Sequence, residues 1–147
     1  MLYIIDDDKS VRRSFEILFT AAGLDYKSFS GAQEFLDSYE QTEKDLLVLD
    51  IHMPGINGNQ LLKILKERKI NIPVITITAY DEKESRQCAK DYGVVEYLRK
   101  PIDGDALINL ILKNSKHRAI WELKQELNNN FLKHFANQKC RSGMCYK

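Results

Sequence analysis

Three aspartates in this sequence follow short apolar runs, at the positions where buried strands would end. Asp50 follows the run 46–49, and Asp6 and Asp7 follow the run 2–5. Because the carboxyl ends of parallel strands meet at one edge of an open sheet, we expect the three carboxylates to lie close together. Clustered carboxylates repel one another unless a cation joins them, and their oxygens are ligands that Mg²⁺ prefers. The pattern predicts a magnesium site, with Asp50 as a candidate nucleophile.

Two further side chains suit phosphoryl chemistry at the same edge. Thr78 follows the apolar run 72–77, and Lys100 lies just beyond the run 94–98. A hydroxyl and an ammonium group can both contact the oxygens of an aspartyl phosphate, while Mg²⁺ offsets charge during phosphoryl transfer. Taken singly, each of these residues has an ordinary interpretation as a helix cap, a turn residue or a solvated charge. The prediction depends on all of them lying at strand ends in one pattern.

The elements that would position these residues alternate along the first 115 residues. Strands are predicted at about 2–6, 24–29, 45–50, 72–77 and 94–98. Amphipathic helices are predicted at about 9–22, 31–40, 59–68 and 82–92, with a further helix after Asp103. Ser30 and Asp103 are predicted N-caps, and Gly23 and Gly93 are predicted helix stops. Strict alternation implies right-handed crossovers and a parallel sheet that is covered by helices on both faces.

The sequence divides into an α/β domain at 1–115 and a helical extension with a flexible basic tail at 116–147. The extension carries seven Lys/Arg and two Asp/Glu, and a second apolar stripe runs through it at helical spacing. The members of this stripe are Ile120, Leu123, Leu127, Phe131 and Phe135. The segment 105–135 is either one long helix or two helices joined near 115. The stripe either folds back on the domain or mediates dimerisation.

Composition excludes a membrane-spanning protein. The 147 residues are 44% hydrophobic and 29% charged, which is typical of a soluble globular protein. No apolar run approaches the roughly 18 residues that a membrane span requires, and the first residues lack a signal-peptide pattern. We therefore expect a cytoplasmic protein with no membrane contact.

Four segments at the predicted strand ends resemble, in order, the signature segments of the response-regulator receiver domain of two-component signalling. They are 4–8, 49–55, 76–79 and 97–101. The resemblance covers about residues 1–115. It implies an α/β, flavodoxin-like, doubly wound five-stranded parallel sheet in the order 2-1-3-4-5, here followed by the C-terminal helical extension. The opening motif and the extension further resemble receivers of the LuxR-type regulator class.

The resemblance also implies roles for individual residues. Asp50 is expected to accept a phosphoryl group from a sensor histidine kinase or a phosphotransfer protein, in a Mg²⁺-dependent reaction. Asp6 and Asp7 match the acidic pair that serves the metal. Asp7 resembles the direct ligand, joined by Asp50 and by the backbone carbonyl of His52.

Further matched residues would bind the phosphate and transmit the signal. Lys100 and Thr78 match the residues that bind the phosphoryl oxygens. Thr78 and Tyr97 match a coupled switch pair, in which the hydroxyl moves toward the phosphate and the ring turns inward. Gly58 matches the glycine expected after the turn, and the Lys100–Pro101 bond is a candidate cis peptide.

Three interpretations of the function follow from these observations. The first is a phospho-accepting signalling switch that catalyses only its own phosphotransfer and dephosphorylation. A homodimer on phosphorylation is one possible form of this switch. The second is the receiver fragment of a longer DNA-binding transcriptional regulator, because 116–147 is too short for a recognition module and DNA contact would need a missing output domain. The third is a phosphatase of the haloacid-dehalogenase kind. In that class a second aspartate follows the nucleophile by two residues, whereas this sequence has His52 there.

Overall fold

Strands and helices alternate in the computed structural model, which describes residues 1–42, 44–114, 123, 126–127 and 129–134. The strands are β1 (Leu2–Ile5), β2 (Tyr26–Phe29), β3 (Leu46–Asp50), β4 (Val74–Thr78) and β5 (Glu96–Arg99). The helices are α1 (Lys9–Ala21), α2 (Ala32–Ser38), α3 (Gly58–Glu67), α4 (Lys83–Tyr92) and α5 (Gly104–Lys113). Each observed element lies within about two residues of its predicted position.

The five strands form one parallel sheet in the order β2-β1-β3-β4-β5. All residues of β1, β3 and β4 are buried, because helices cover both faces of the sheet. This burial explains why those strands are predominantly apolar in the sequence. The chain order reverses between β1 and β3, so the carboxyl ends of these strands flank the topological switch point where ligands bind in such folds. The predicted flavodoxin-like, doubly wound sheet is confirmed.

Alternate residues of each strand enter two separate cores. Tyr3 and Ile5 of β1 pack against the core formed with α2, α3 and α4, where the side chain of Phe35 is fully buried. Leu2 and Ile4 pack on the opposite face with α1 and α5, around the fully buried Phe19. Because a strand presents successive side chains to opposite faces, β1 contributes to both cores.

Most of the predicted helix boundaries are found, with one correction. Asp103 caps α5 by accepting hydrogen bonds from the backbone N–H groups of residues 105 and 106. Gly93 ends α4 in the left-handed region at φ 81°. The Ser30 prediction is wrong by one residue, because the N-cap of α2 is Gly31. The backbone N–H and hydroxyl of Ser30 instead donate to the carboxylate of Glu34, which ties Ser30 to the first turn from outside the helix.

The predicted extension is described only in part. Residues 123, 126–127 and 129–134 are helical, and Leu123 and Leu127 of the apolar stripe are 56% and 59% exposed. Residues 115–122 and 135–147 lie outside the described residues, and so do Ile120, Phe135 and the join predicted near 115. The domain boundary and the dimerisation of the stripe therefore remain predictions. Within the described part of the chain, no helix is both long enough and apolar enough to span a membrane.

Gly58, the first residue of α3, lies directly against the end of β3. A Cβ added there would lie 2.7 Å from both the Asp50 carbonyl oxygen and the Ile51 Cα. Since both neighbours are backbone atoms, they cannot move aside without displacing the end of the strand. We expect Gly58→Ala to lower the free energy of unfolding by about 2 kcal/mol, measured by urea denaturation.

The first residue of α5 offers a matched control for this substitution. A Cβ added to Gly104 would meet only the side chain of Leu18, at 3.2 Å, and this side chain can rotate. Gly104→Ala is therefore expected to change the stability by less than about 0.5 kcal/mol. Equal effects of the two substitutions would show that the close approach of α3 to β3 is not what requires glycine.

Candidate functional site

Three carboxylates meet where β1 and β3 end. Asp50 is the last residue of β3, and Asp6 and Asp7 follow β1 directly. One carboxylate oxygen from each aspartate lies within 4.8 Å of those of the other two. Asp6 and Asp50 are buried, whereas Asp7 is exposed. The structure thus brings the three predicted residues together at one edge of the sheet.

Lys100 reaches this cluster from the end of β5. Its Nζ lies 3.4 Å from Asp6 Oδ2 and 3.5 Å from Asp50 Oδ1. The peptide bond between Lys100 and Pro101, the candidate cis bond that the family resemblance suggests, is cis. The ammonium group therefore contacts both buried carboxylates.

Burial and mutual repulsion dominate the electrostatics of the site. Burial, followed by the charge of Asp6, raises the pKa of Asp50 to about 6, although Lys100 acts in the opposite direction. Burial also raises the pKa of Asp6. Burial alone would lower the pKa of Lys100, but the Asp50 and Asp6 carboxylates raise it above its ordinary value. One lysine thus faces three carboxylates, and negative charge is left in excess.

This donor set fits a hard divalent cation. Mg²⁺ typically takes one or two carboxylates and keeps several waters, so a half-open cluster of oxygen ligands suits it. The excess negative charge on Asp6 and Asp50 is of the kind that such a cation would neutralise. The acidic cluster is therefore a candidate magnesium site by the chemistry of its donors.

Thr78 is buried at the end of β4, and its hydroxyl is engaged within its own loop. Its Oγ1 donates to the Tyr80 carbonyl oxygen at 2.7 Å and accepts from the Tyr80 N–H at 3.1 Å. These two bonds orient the hydroxyl toward the turn after β4. Contact with a phosphoryl group on Asp50 would require the hydroxyl to leave Tyr80.

Tyr97 lies on β5, the strand next to β4, and is half-buried. Burial raises the pKa of its hydroxyl, and the nearby Asp81 carboxylate raises it further, whereas the Glu82 backbone lowers it. Although Asp81 and Glu82 are close, the hydroxyl forms no hydrogen bond of standard geometry within the described part of the chain. The ring thus borders the segment that joins Thr78 to α4.

His52 follows Asp50 by two residues, and its ring packs edge to face against Tyr80 with centroids 5.6 Å apart. Its Nε2 is buried and has no hydrogen-bond partner among the described residues. The contact between the two rings joins the loops that follow β3 and β4. Tyr80 is 67% exposed.

Two further contacts secure the acidic loop. Asp8 is the N-cap of α1, because its carboxylate accepts from the N–H groups of Ser10 and Val11. The Arg12 Nη1 donates to the Asp6 carbonyl oxygen at 2.7 Å. A signal for the second contact exists in the sequence, since Arg12 lies one helical turn after the capping residue and so stands over the loop.

The whole α/β domain is similar to known receivers. The family model of the response regulator receiver domain matches residues 2–112. The DNA-binding transcriptional regulator NtrC of Klebsiella pneumoniae is 37% identical over 115 residues, which are 78% of this chain and 24% of that protein. The transcriptional regulatory protein FixJ of Bradyrhizobium diazoefficiens is 34% identical over 110 residues, or 75% of this chain and 54% of that protein. The crystal structure of FixJ-N superposes with a TM-score of 0.71 at 33% identity and covers 79% of this chain and 93% of that one.

These matches establish the family and correct one narrower expectation. The resemblance to LuxR-type receivers is not supported, because the relatives found are NtrC and FixJ. The chain spans about a quarter of the length of NtrC and about half that of FixJ. The match of the family model over most of the chain shows that this protein belongs to the response regulator receiver domain family.

Proposed function

We propose that this domain accepts a phosphoryl group on Asp50 from a sensor histidine kinase or a phosphotransfer protein, and that it then changes conformation to control an output. The observation that carries the proposal is the environment of Asp50. One oxygen of its buried carboxylate lies within 4.8 Å of a carboxylate oxygen of Asp6 and of Asp7. Its Oδ1 lies 3.5 Å from the Lys100 ammonium group. A carboxylate nucleophile, a cation site and a fixed ammonium group are the components that phosphoryl transfer to aspartate needs.

In the proposed reaction, one Asp50 oxygen forms a bond to phosphorus as the bond between phosphorus and the donor breaks. The electron pair of the broken bond stays on the donor. Asp7, Asp50 and the His52 backbone carbonyl would hold Mg²⁺, with Asp6 supporting the metal. When it is bound, the metal offsets the negative charge of the carboxylates and of the arriving phosphoryl group. Lys100 already contacts Asp50 and is positioned to bind a phosphoryl oxygen.

The proposed switch depends on the Thr78 hydroxyl. A phosphoryl group on Asp50 offers strong acceptor oxygens, so the hydroxyl would exchange its bond to the Tyr80 carbonyl for a bond to phosphate. Tyr97 would then turn inward toward the space that the moving β4–α4 loop leaves. Phosphorylation would act by favouring a conformation that is a minor state in its absence.

We propose a signalling switch that acts in the cytoplasm and catalyses only its own phosphotransfer and dephosphorylation. The alternative that the relatives favour is a receiver fragment of a longer DNA-binding transcriptional regulator, since the chain spans only part of NtrC and FixJ. In that case DNA contact would belong to an output domain outside this sequence. Homodimer formation on phosphorylation stays a prediction for both versions.

The test is incubation with Mg²⁺ and a small acyl-phosphate donor, followed by intact mass spectrometry. We expect the protein to gain one phosphoryl group, and Asp50→Asn to gain none. Asp25→Asn removes the same charge from an exposed site and should behave like the unmodified protein. A lack of uptake by the unmodified protein, or equal uptake by Asp50→Asn, would overturn the assignment.

A further inference from the structure

Asp7 is the carboxylate of the acidic cluster with the weakest support. Asp6 and Asp50 are buried and each contacts Lys100. Asp7 is exposed, and its carboxylate has neither a hydrogen-bond nor an ion-pair partner in the part of the chain that the structure describes. Its position relative to the other two carboxylates is therefore set by its backbone alone.

The Arg12 side chain holds that backbone. Its Nη1 donates to the Asp6 carbonyl oxygen at 2.7 Å, and this carbonyl belongs to the peptide group that joins Asp6 to Asp7. Because the peptide group is planar, fixing its oxygen also fixes the N–H and the Cα of Asp7. Arg12 is itself anchored in α1, where its N–H donates to the Asp8 carbonyl oxygen at 2.9 Å. The guanidinium group thus ties the acidic loop to the first turn of α1.

Other contacts secure the ends of the loop but not this peptide group. The Asp6 N–H donates to the Phe29 carbonyl oxygen at 3.2 Å, which continues the sheet. The Asp8 N–H donates to Asp6 Oδ1 at 2.9 Å, and the Asp8 carboxylate caps α1. Among the described residues, Arg12 supplies the side-chain hydrogen bond to the Asp6–Asp7 peptide group.

We infer that Arg12 is a positioning residue, which holds Asp7 in the orientation that metal binding requires. The inference rests on the proposed function, because it concerns the same Mg²⁺ site. Among the described residues, Arg12 forms neither a hydrogen bond nor an ion pair with the three carboxylates, so its effect would pass through the Asp7 backbone. Outer contacts of this kind commonly change metal affinity by about 10- to 100-fold.

The direction of the effect separates positioning from simple electrostatics. A positive charge close to an acidic cluster repels Mg²⁺, so removing the charge alone would tighten metal binding. Loss of positioning would weaken metal binding, because Asp7 would have to be ordered when the metal arrives. An arginine that acts through its charge alone therefore predicts the opposite sign, and one that only stabilises the fold predicts unchanged metal affinity.

The experiment measures the dissociation constant for Mg²⁺ by isothermal titration calorimetry on the whole chain. Arg12→Met keeps the apolar stem and removes the donor and the charge, and we expect about tenfold weaker binding. Arg12→Lys keeps a donor and should restore part of the affinity. Arg13→Met is the matched control. The Arg13 side chain is next to Arg12 in the sequence, is 71% exposed and forms only a 3.6 Å ion pair with Glu16. We expect less than a twofold change for this control.

Phosphorylation kinetics give a second readout for the same variants. For Arg12→Met, the Mg²⁺ concentration at half-maximal rate should rise about tenfold, while the rate at saturating Mg²⁺ stays close to that of the unmodified protein. Unchanged or tighter Mg²⁺ binding by Arg12→Met, or an equal loss in Arg13→Met, would overturn the inference alone. Failure of the unmodified protein to bind Mg²⁺ would overturn the proposed function, and the inference with it. If Arg12→Met does not fold, the same measurements are made on Arg12→Lys. Mg²⁺ binding by Arg12→Lys that is as tight as in the unmodified protein would then count against the inference.

Discussion

Replacing Asp50 with Asn is expected to raise the free energy of unfolding by about 2 kcal/mol near pH 7 when divalent cations are absent. Burial and the neighbouring Asp6 raise the pKa of Asp50 to about 6, so its charged form is held in an unfavourable environment. Asn has nearly the same shape and carries no charge. The substitution therefore removes the repulsion and leaves Lys100 in contact with Asp6.

The gain should depend on pH with a definite sign. An unfolded Asp titrates near pH 4, whereas the folded pKa of Asp50 is about 6. Between these values the folded protein keeps a proton that the unfolded chain has released, so stability falls as the pH rises through this window. The full difference between the folded and unfolded pKa values of Asp50 corresponds to roughly 3 kcal/mol of stability. Asp50→Asn would recover only part of this free energy, because Asp50 and Asp6 titrate as a coupled pair and Asp6 remains in the variant. The advantage of Asn should thus be small near pH 4 and level off above about pH 6.

Urea denaturation in a chelating buffer at several pH values measures this difference. Asp25→Asn again serves as the control, since this exposed carboxylate should show little effect at any pH. Saturating Mg²⁺ should stabilise the unmodified protein by about 2 to 3 kcal/mol and stabilise Asp50→Asn much less. If the Asn variant were no more stable near pH 7, or if its gain did not change with pH, burial of the Asp50 charge would not be a cost to the fold.

Much of this molecule could be predicted from the sequence because the relevant signals are local and strong. The strands β1, β3 and β4 are buried on both faces and therefore appear as predominantly apolar runs, and a polar residue of the site ends or directly follows each of them. Right-handed crossovers between parallel strands then leave few topologies to consider. The convergence of Asp6, Asp7 and Asp50 follows from that topology, because residues at the same ends of neighbouring strands must be close.

The parts that could not be predicted depend on side-chain geometry. The apolar run does not indicate that the Thr78 hydroxyl is paired with the Tyr80 backbone, since a threonine at a strand end has several acceptors within reach. The position of Arg12 in the sequence places it over the loop, but its bond to the Asp6 carbonyl oxygen also needs the angle at which α1 leaves the loop. The N-cap of α2 is Gly31, and the side chain of Ser30 bonds to Glu34 instead of capping the helix. In each case the deciding contact is a side-chain bond, and which partner the side chain takes depends on the geometry of the surrounding loop.

Asp45, immediately before β3, should respond in the opposite way to Asp50, which ends the same strand. Asp45 is only 3% exposed, and its carboxylate accepts bonds from the Thr42 N–H at 2.8 Å, the Thr42 hydroxyl at 2.7 Å and the Tyr39 hydroxyl at 2.9 Å. The amino group of Met1 lies 3.2 Å away. Burial alone would raise the pKa of Asp45, but these donors hold it below its ordinary value. This carboxylate is thus stabilised by its surroundings.

Asp45→Asn is therefore expected to lower the free energy of unfolding by about 3 kcal/mol near pH 7, because the amide presents N–H groups to donors and loses the ion pair. A lowered folded pKa stabilises the protein above the unfolded value near pH 4, and this contribution is lost as the pH falls through the folded pKa. The deficit of the variant should consequently shrink in acid, and Tyr39→Phe, which removes one donor, should cost only about 1 kcal/mol.

The two aspartates are five residues apart along the chain, or roughly 16 Å along a strand, so Asp45→Asn and Asp50→Asn should be additive within about 0.5 kcal/mol in urea denaturation of the double variant. A stability of Asp45→Asn equal to that of the unmodified protein near pH 7 would mean that the four contacts only offset the burial of the charge.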